Sequence, residues 1–329
     1  MNNIELSTIY LPILDEVYRE ASLTSILQGD EATLKRGSNG EVKVLKLDMD
    51  GLGDFSRSTG YTSGSTSAVW ETLKYDKERS QKLTIDRLDN EENLAQPFAL
   101  VAGEFIRNKV VPETDAARIA KLASASGITK VTETLSTGAN IIAALRACTA
   151  VFDENEVPRE ERILWITPTL YGVVEDLDTT KSKKVLERFS TIIQMPQTRM
   201  YTAIDLNDGT SSYGYKKGED HYAKTEDTEI VSGKTYYTKS GSTYTAVAEP
   251  SAASLSTYYE LVQAAGKNLN FIAAHRKAAV SDLAQYIKYF SPDQDQSGDS
   301  HVFAYRNNNL YAHVYENKTK GIYASIANS

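Results

Sequence analysis

Residues 51 to 93 read GLGDFSRSTGYTSGSTSAVWETLKYDKERSQKLTIDRLDNEEN, and no other part of the chain says as much about its architecture. The run opens as a glycine-rich loop mixing aromatic and charged residues. Thr, Tyr, Trp and Leu then dominate, with breaks at Gly60 and Gly64. β-Branched and aromatic side chains favour pleated backbone, and glycine supplies the turns between such runs. The pattern predicts a long two-stranded β excursion that leaves a globular body and returns to it. An arm of that length has too little side-chain volume to bury against itself, so it is expected to pack on another subunit. A helix-like segment follows and ends in Val110-Val111-Pro112-Glu113-Thr114-Asp115.

Working outward, Leu94, Phe98, Val101 and Phe105 recur at spacings of four, three and four, which is one face of a helix. Asp89 and Asn90 offer N-caps, and Glu91 and Glu92 suit the positive helix end. Pro112 should kink or divide this helix, with a second part continuing through Ala116, Ile119 and Leu122. Another helix is expected from Thr137 or Gly138 to about Phe152. Arg162 to Pro168 reads as a buried strand stopped by proline, and residues 170–178 and 183–190 as short helices. Leu269 to His275 reads as a strand, followed by a helix near Arg276 to Ala284 and a loop stopped by Pro292. Leu310 to Tyr315 and Gly321 to Ile326 read as closing strands around an Asn-Lys turn, completing one sheet. On the N-terminal side, Leu14, Val17 and Tyr18 give a short helical pattern between Pro12 and Gly29.

Composition sets the outer bounds. With 329 residues the chain can bury a sizeable core, and 41% apolar with 24% charged residues describes a globular protein, whose strands and helices as predicted above make the class α+β. No apolar run approaches the ~20 residues needed to span a bilayer. Met1 to Glu5 lacks the basic then apolar start of a signal peptide, so the chain is expected to fold in a cytoplasm and engage no membrane. The single cysteine, Cys148, excludes an intramolecular disulfide framework and a multi-cysteine metal site, and its helical apolar setting predicts a buried thiol. A net charge of −8 argues against a nucleic-acid reader, and the Lys181, Lys183, Lys184 and Arg188 cluster reads as a solvated helix start.

Between Leu206 and Leu261 the composition changes sharply. Tyr213, Tyr215, Tyr222, Tyr236, Tyr237, Tyr244, Tyr258 and Tyr259 place eight of the chain's 20 tyrosines there. Gly233-Lys234 and Ser240-Gly241-Ser242 supply turns between Thr- and Tyr-rich strands, which reads as a small inserted all-β module. Insertions survive where both ends lie on an exposed surface. Tyr236, Tyr237, Tyr244, Tyr258 and Tyr259 are its candidate surface, because exposed tyrosines suit flat polar ligands. The alternative is that tyrosine simply makes good strands.

Chemistry-bearing motifs fail on inspection. Ser232-Gly233-Lys234-Thr235 has the tail of a phosphate-binding loop, but Thr228 stands where the motif requires glycine, so a hairpin turn is expected. Asp48, Asp50 and Gly51 start like a calcium loop, yet no glutamate follows at the required distance. His221, His275, His301 and His313 fall on separate predicted elements, and no nucleophile elbow occurs. No catalytic, cofactor or metal residues are therefore assigned, and the chain is expected not to be an enzyme.

The loop and helix together resemble the extended loop and spine helix of tailed-bacteriophage major capsid proteins, the family with the Hong Kong 97 fold. The likeness is carried by Gly51 to Arg57, Gly60-Tyr61, Trp70-Glu71, Asp76 to Arg79, Ile85-Asp86, Leu88-Asp89, Phe105 to Arg107 and Val110 to Asp115. This chain has Ser80 and Leu83 where the family often has glycine and an aromatic. The resemblance implies an N-terminal arm (1–30), an extended loop (31–90), a peripheral domain with the spine helix (91–155) and a first axial segment (156–205). It then implies the inserted module (206–261), a second axial segment (262–298) and a return to the peripheral domain (299–329). It further implies a coat subunit assembling into pentamers and hexamers of an icosahedral virion shell in a bacterial host cytoplasm. Expected partners are a portal protein and scaffold or decoration proteins, and the shell would enclose double-stranded DNA without sequence-specific binding. Phe55, Arg57, Tyr61, Trp70 and Arg79 would anchor the contact between subunits. Some relatives crosslink a loop lysine to a neighbour's asparagine; Lys74, Lys77 and Lys82 are loop lysines here, with no matching trio. A nanocompartment shell of the same fold, or an adhesin acting through 206–261, are the alternatives.

Overall fold

The computed structural model describes residues 18, 21–29, 34–37, 40–58, 60–86, 102–177, 180–291 and 300–328. Contacts divide the chain into two units, Met1–Asn108 with Val280–His313, and Lys109–Ala279 with Val314–Ser329. Both mix helix and sheet or are dominated by sheet, in keeping with an α+β chain.

In the first unit, β1 (Leu34–Arg36), β2 (Glu41–Met49) and β3 (Thr66–Lys74) form an antiparallel sheet in that order. The β2–β3 ladder runs in register from Glu41↔Lys74 to Met49↔Thr66. Period-two alternation buries Val42 and Val44 on one face, with Leu34 opposite Val44. The excursion is therefore three-stranded where two strands were expected. The chain then corners at Tyr75-Asp76 and changes sheets: the Asp76 N–H donates to the Asn309 carbonyl at 2.8 Å and its carboxylate accepts the Tyr311 N–H at 2.9 Å. Beyond this corner β4 (Lys77–Asp86) pairs along its whole length with β16 (Ser300–Val314), in a sheet ordered β15-β16-β4.

β15 (Ala279–Phe290) corrects a second expectation. A helix was predicted near Arg276 to Ala284, but only a short 3-10 turn spans Arg276–Ala278 before the strand begins. Ala279 through Gln285 are all buried, so no alternation marks the strand, and its alanines and leucine read as helix until pairing with β16 overrides local preference. The root of the arm is fixed on β15. Asp282, 2% exposed in its side chain, accepts the Arg36 fork at 2.8 and 3.0 Å and the Tyr75 hydroxyl at 2.8 Å, while Arg36 also donates to the Leu283 carbonyl at 3.0 Å. The hydrogen bond to Asp282 raises the Arg36 pKa, and burial, reinforced by Asp282, raises that of Tyr75.

The second unit is built on a five-stranded sheet ordered β5-β17-β14-β6-β7. Its strands are β5 (Thr129–Glu133), β6 (Arg162–Ile166), β7 (Thr191–Gln194), β14 (Leu269–His275) and β17 (Ile322–Ala327). β6 is buried at every position and β14 at all but its last, the pattern of a strand covered on both faces. The helices are α1 (Val111–Ser124), α2 (Gly138–Glu154), α3 (Pro168–Asp176) and α4 (Thr180–Leu186). In α2, Thr137 caps the first turn by accepting the Asn140 N–H at 3.3 Å. Ile141, Leu145, Cys148 and Phe152 then form one stripe against Leu164, Ile166, Phe271 and Tyr323. Cys148 is fully buried, and burial pushes its thiol pKa up, so it is an inert core residue.

Residues 102–105 are helical, Ile106–Val110 form a π-helical turn, and α1 starts at Val111 with Pro112 in its first turn. Pro112 has no N–H for the carbonyl four residues back, so the break falls where the sequence placed it. Leu94, Phe98, Val101, Asp89 and Asn90 lie outside the described residues, as do Leu14, Val17 and Pro292. The two closing strands do not share a sheet: β16 joins β4 and β15, whereas β17 joins β14 and β5. A 3-10 turn at Glu316–Gly321 separates them.

Replacing Asp282 by alanine is expected to lower stability by about 3 kcal/mol, since a buried paired group is lost and Arg36 left unmatched. Tyr75→Phe should cost about 1 kcal/mol. Urea unfolding midpoints measure both; a change below about 0.5 kcal/mol in each would mean the arm's root is held by other contacts.

Candidate functional site

Two surfaces stand out, the tip of the β2–β3 hairpin and the tyrosine-rich module. At the tip, residues 50–65 are closed at their base by the Asp50 N–H to Ser65 carbonyl bond (3.0 Å) and the Ser65 N–H to Asp50 carboxylate bond (2.7 Å). Asp50 thus serves a backbone turn. Ser56 and Gly60 bridge across a tight inner turn, with Gly60 at φ 81°. Phe55 and Tyr61 meet edge to face with ring centroids 5.2 Å apart, yet they remain 60% and 92% exposed. Arg57 is exposed beside them, with no ion-pair partner among the described residues.

Of the five predicted contact residues, the loop gathers Phe55, Arg57 and Tyr61. Trp70 lies on β3 opposite Leu45, half-buried, with the Lys35 ammonium 4.4 Å from its ring centroid. Arg79 lies on β4 opposite Asn307, in a different sheet. Sequence reasoning passed over Leu52, Met49 and Val69, which are fully or largely exposed. For Leu52 a signal was available, an apolar side chain flanked by Gly51 and Gly53.

The module enters through β8 (Ile204–Leu206) and β9 (Tyr215–Lys217), which pair with each other. Its body is an antiparallel sheet ordered β10-β13-β11-β12, made of β10 (His221–Lys224), β11 (Tyr236–Ser240), β12 (Thr243–Ala246) and β13 (Tyr259–Gln263). Entry and exit converge. Thr202 and Lys267 are hydrogen-bonded at 2.9 Å, the Gly218 N–H reaches the Ala203 carbonyl at 3.0 Å, and the Gly266 N–H reaches Gly218 at 2.9 Å. Asp205 ties this stem together by accepting from the His221 ring (2.6 Å), Gln263 (2.8 Å) and the Glu219 N–H (3.0 Å). Burial alone would raise the Asp205 carboxyl, but those hydrogen bonds outweigh it and hold the group below its ordinary pKa.

The predicted tyrosine surface divides in two. Tyr236 and Tyr258 are not surface residues: they are 0% and 6% exposed and form the module's core with Leu255, flanked by Ile230 and Val247. Their hydroxyls are spent internally, Tyr236 donating to Asp227 at 2.7 Å and Tyr258 accepting the Ser251 N–H at 3.2 Å. Alternation explains this, because Tyr236 and Tyr237 are adjacent on β11 and must face opposite ways. Tyr237, Tyr244 and Tyr259 are half-exposed on the other face, where Tyr222 joins them. Lys234, in the fragment with a phosphate-loop tail, follows a turn closed by its own N–H to the Val231 carbonyl at 3.2 Å, with Gly233 at φ 81°. Its ammonium pairs with Asp227 at 2.6 Å and with Glu260, so it is a structural cation.

No protein-family model matches the chain, and no curated protein matches it. Among solved structures it is similar to two phage capsids and a virus-like particle. One is the capsid of the cyanophage P-SCSP1u, 13% identical, covering 94% of this chain and 89% of that one with a TM-score of 0.49. Another is the capsid of Staphylococcus phage Andhra, 10% identical over 94% of this chain and 84% of that one, also at 0.49. A virus-like particle from Pyrococcus furiosus is 13% identical over 96% and 99%, at 0.48.

A methyl group added at Gly266 would sit 2.3 Å from the Ala203 carbonyl oxygen. Gly266→Ala is therefore expected to open the stem, costing about 1–3 kcal/mol and raising proteolysis within 206–261. Acid should act on the same place. A depressed carboxyl stabilises above its unfolded value near pH ~4 and loses that contribution as pH falls through the folded value. Hydrogen exchange at Glu219 and Gln263 should accelerate below pH ~4 in the native chain and show no such step in Asp205→Asn.

Proposed function

We propose that this chain is a major capsid subunit, a structural protein that assembles into the icosahedral head of a tailed bacteriophage. The observation that carries the reading is the hairpin tip, which presents Leu52, Phe55 and Tyr61 to solvent while its root is locked by Arg36, Tyr75 and Asp282. Burying side chains of this size contributes about 1.5–3 kcal/mol each, and nothing within the described residues covers them. An arm with an apolar end and no receptor for it among the described residues is suited to a repeated head-to-tail contact with further copies, and such contacts close into rings when the rotation closes. The sequence likeness to the extended loop and spine helix of phage coat proteins supports the same conclusion.

In this reading the arm lies across a neighbouring subunit, the peripheral and axial domains follow the boundaries inferred from the sequence, and the shell encloses double-stranded DNA. The net charge of −8 suits a container: an acidic wall repels a polyanion and leaves it free to move. Assembly takes place in the bacterial cytoplasm, with a portal at one vertex and scaffold or decoration proteins as further partners. The chain has a structural role and performs no catalysis.

Negative-stain electron microscopy after size-exclusion chromatography tests the proposal, with closed shells or capsomer rings expected. The triple variant Leu52→Ser, Phe55→Ser, Tyr61→Ser should keep the parent's thermal unfolding midpoint, because these side chains are exposed, and should remain unassembled. A parent chain that stays monomeric at high concentration would refute the reading. Shells formed normally by the variant would remove the tip from the contact.

A further inference from the structure

The outer face of the module has a composition that its fold does not require. Cross-strand register places Tyr237 opposite Tyr259, Lys239 opposite Tyr244 and Lys224 opposite Tyr259, so these side chains share one face with Tyr222. Tyr222 and Tyr244 stack nearly parallel at 4.1 Å, Tyr237 meets Tyr222 edge-on at 4.9 Å, and Tyr259 meets Tyr244 edge-on at 5.3 Å. The Lys239 ammonium stands 5.4 and 5.9 Å from the Tyr244 and Tyr259 centroids. Unlike Tyr236 and Tyr258, none of the four hydroxyls on this face has a hydrogen-bond partner among the described residues. The module's core already lies on the opposite face, so folding leaves this cluster without an internal task.

We propose that the Tyr222–Tyr237–Tyr244–Tyr259 face is a binding site for an acidic carbohydrate, with sugar rings lying on the phenols and a carboxylate meeting the Lys239 and Lys224 ammonium groups. The match is chemical. Aromatic rings present flat apolar area to the C–H face of a pyranose, their free hydroxyls meet its hydroxyl groups, and the two exposed cations select for negative charge. A folded protein partner would need a far larger area, on the order of 1,000 Å². A nucleic-acid strand would need a basic track, whereas this face offers two lysines on a chain of net charge −8. Asp220, whose charge acts on Tyr222, accepts the Ala265 N–H at 2.6 Å. The inference is independent of whether the chain builds shells.

Isothermal titration of the full chain with trigalacturonate tests it, using maltotriose as the neutral control and the oligonucleotide dT10 as the competing polyanion. Trigalacturonate should bind with Kd on the order of 0.1–1 mM, and at least about fivefold more tightly than maltotriose. Tyr244→Ala should weaken both sugars about tenfold or more. Lys239→Gln, an exposed change, should sharply reduce the preference for the acidic sugar over maltotriose. Absence of trigalacturonate binding at millimolar concentration, an unchanged preference in Lys239→Gln, or tighter binding of dT10 than of trigalacturonate would overturn the proposal.

Discussion

A single buried carboxylate organises the first unit. Asp282 sits on a strand with almost no exposure, and a carboxylate in such a place is tolerable only if donors fill its lone pairs. Arg36 and Tyr75 supply them from the two ends of the hairpin sheet, one from β1 and one from the corner after β3. A planar guanidinium bound in two places fixes orientation as well as distance, which lysine would not do. Among the described side chains of the three-stranded ribbon only Leu34, Val42 and Val44 are buried, too few to hold its direction. The same strand leaves little freedom on its other flank: Gln28 bridges Ser281, and a side chain at Gly29 would meet Val280 at 2.6 Å.

The second unit solves a different problem. Its central strands are apolar over Ile163–Ile166 and Phe271–Ala274, and the buried polar residues they carry, Arg162 and Asn270, lie towards their ends. Arg162, 1% exposed, donates to Asp153 at 2.8 Å and to the Pro158 and Val157 carbonyls, and its guanidinium lies 5.4 Å from the Phe152 ring centroid. At the other end Ser325 donates to Glu133 at 2.6 Å and Asn270 donates to Ser325 at 3.1 Å, tying β17, β5 and β14 where the ladder changes from parallel to antiparallel.

Much of this was legible. The helix expected from Thr137 or Gly138 to about Phe152 and the apolar runs of β6 and β14 rest on local patterns, and local patterns survive folding. Pro112 marked a backbone break for a reason internal to one residue. What could not be read was pairing. Nothing in Ala279 to Gln285 announces a strand, because burial on both faces removes the alternation that distinguishes strand from helix. Likewise the third strand of the arm depends on β1 lying beside β2, and the separate destinations of β16 and β17 depend on partners far away in sequence. At the tyrosine surface the error was of another kind: counting tyrosines treated neighbours as equivalent, when Tyr236 and Tyr237 point to opposite sides. The cationic half of that face, Lys224 and Lys239, emerges only once strands are placed side by side.

The pinched stem at Ala203, Gly218 and Gly266 holds the two ends of the module side by side. The body receives a chain whose two ends are already adjacent, so it needs no contribution from what lies between them. Closing a loop of this length costs roughly 4 kcal/mol of chain entropy, and the stem's own hydrogen bonds meet that cost locally. Melting of the module therefore need not propagate into the five-stranded sheet, and sequence between the two stem strands is free to drift in length and content while the body keeps its form. The module can change what it touches at a different tempo from the fold that carries it.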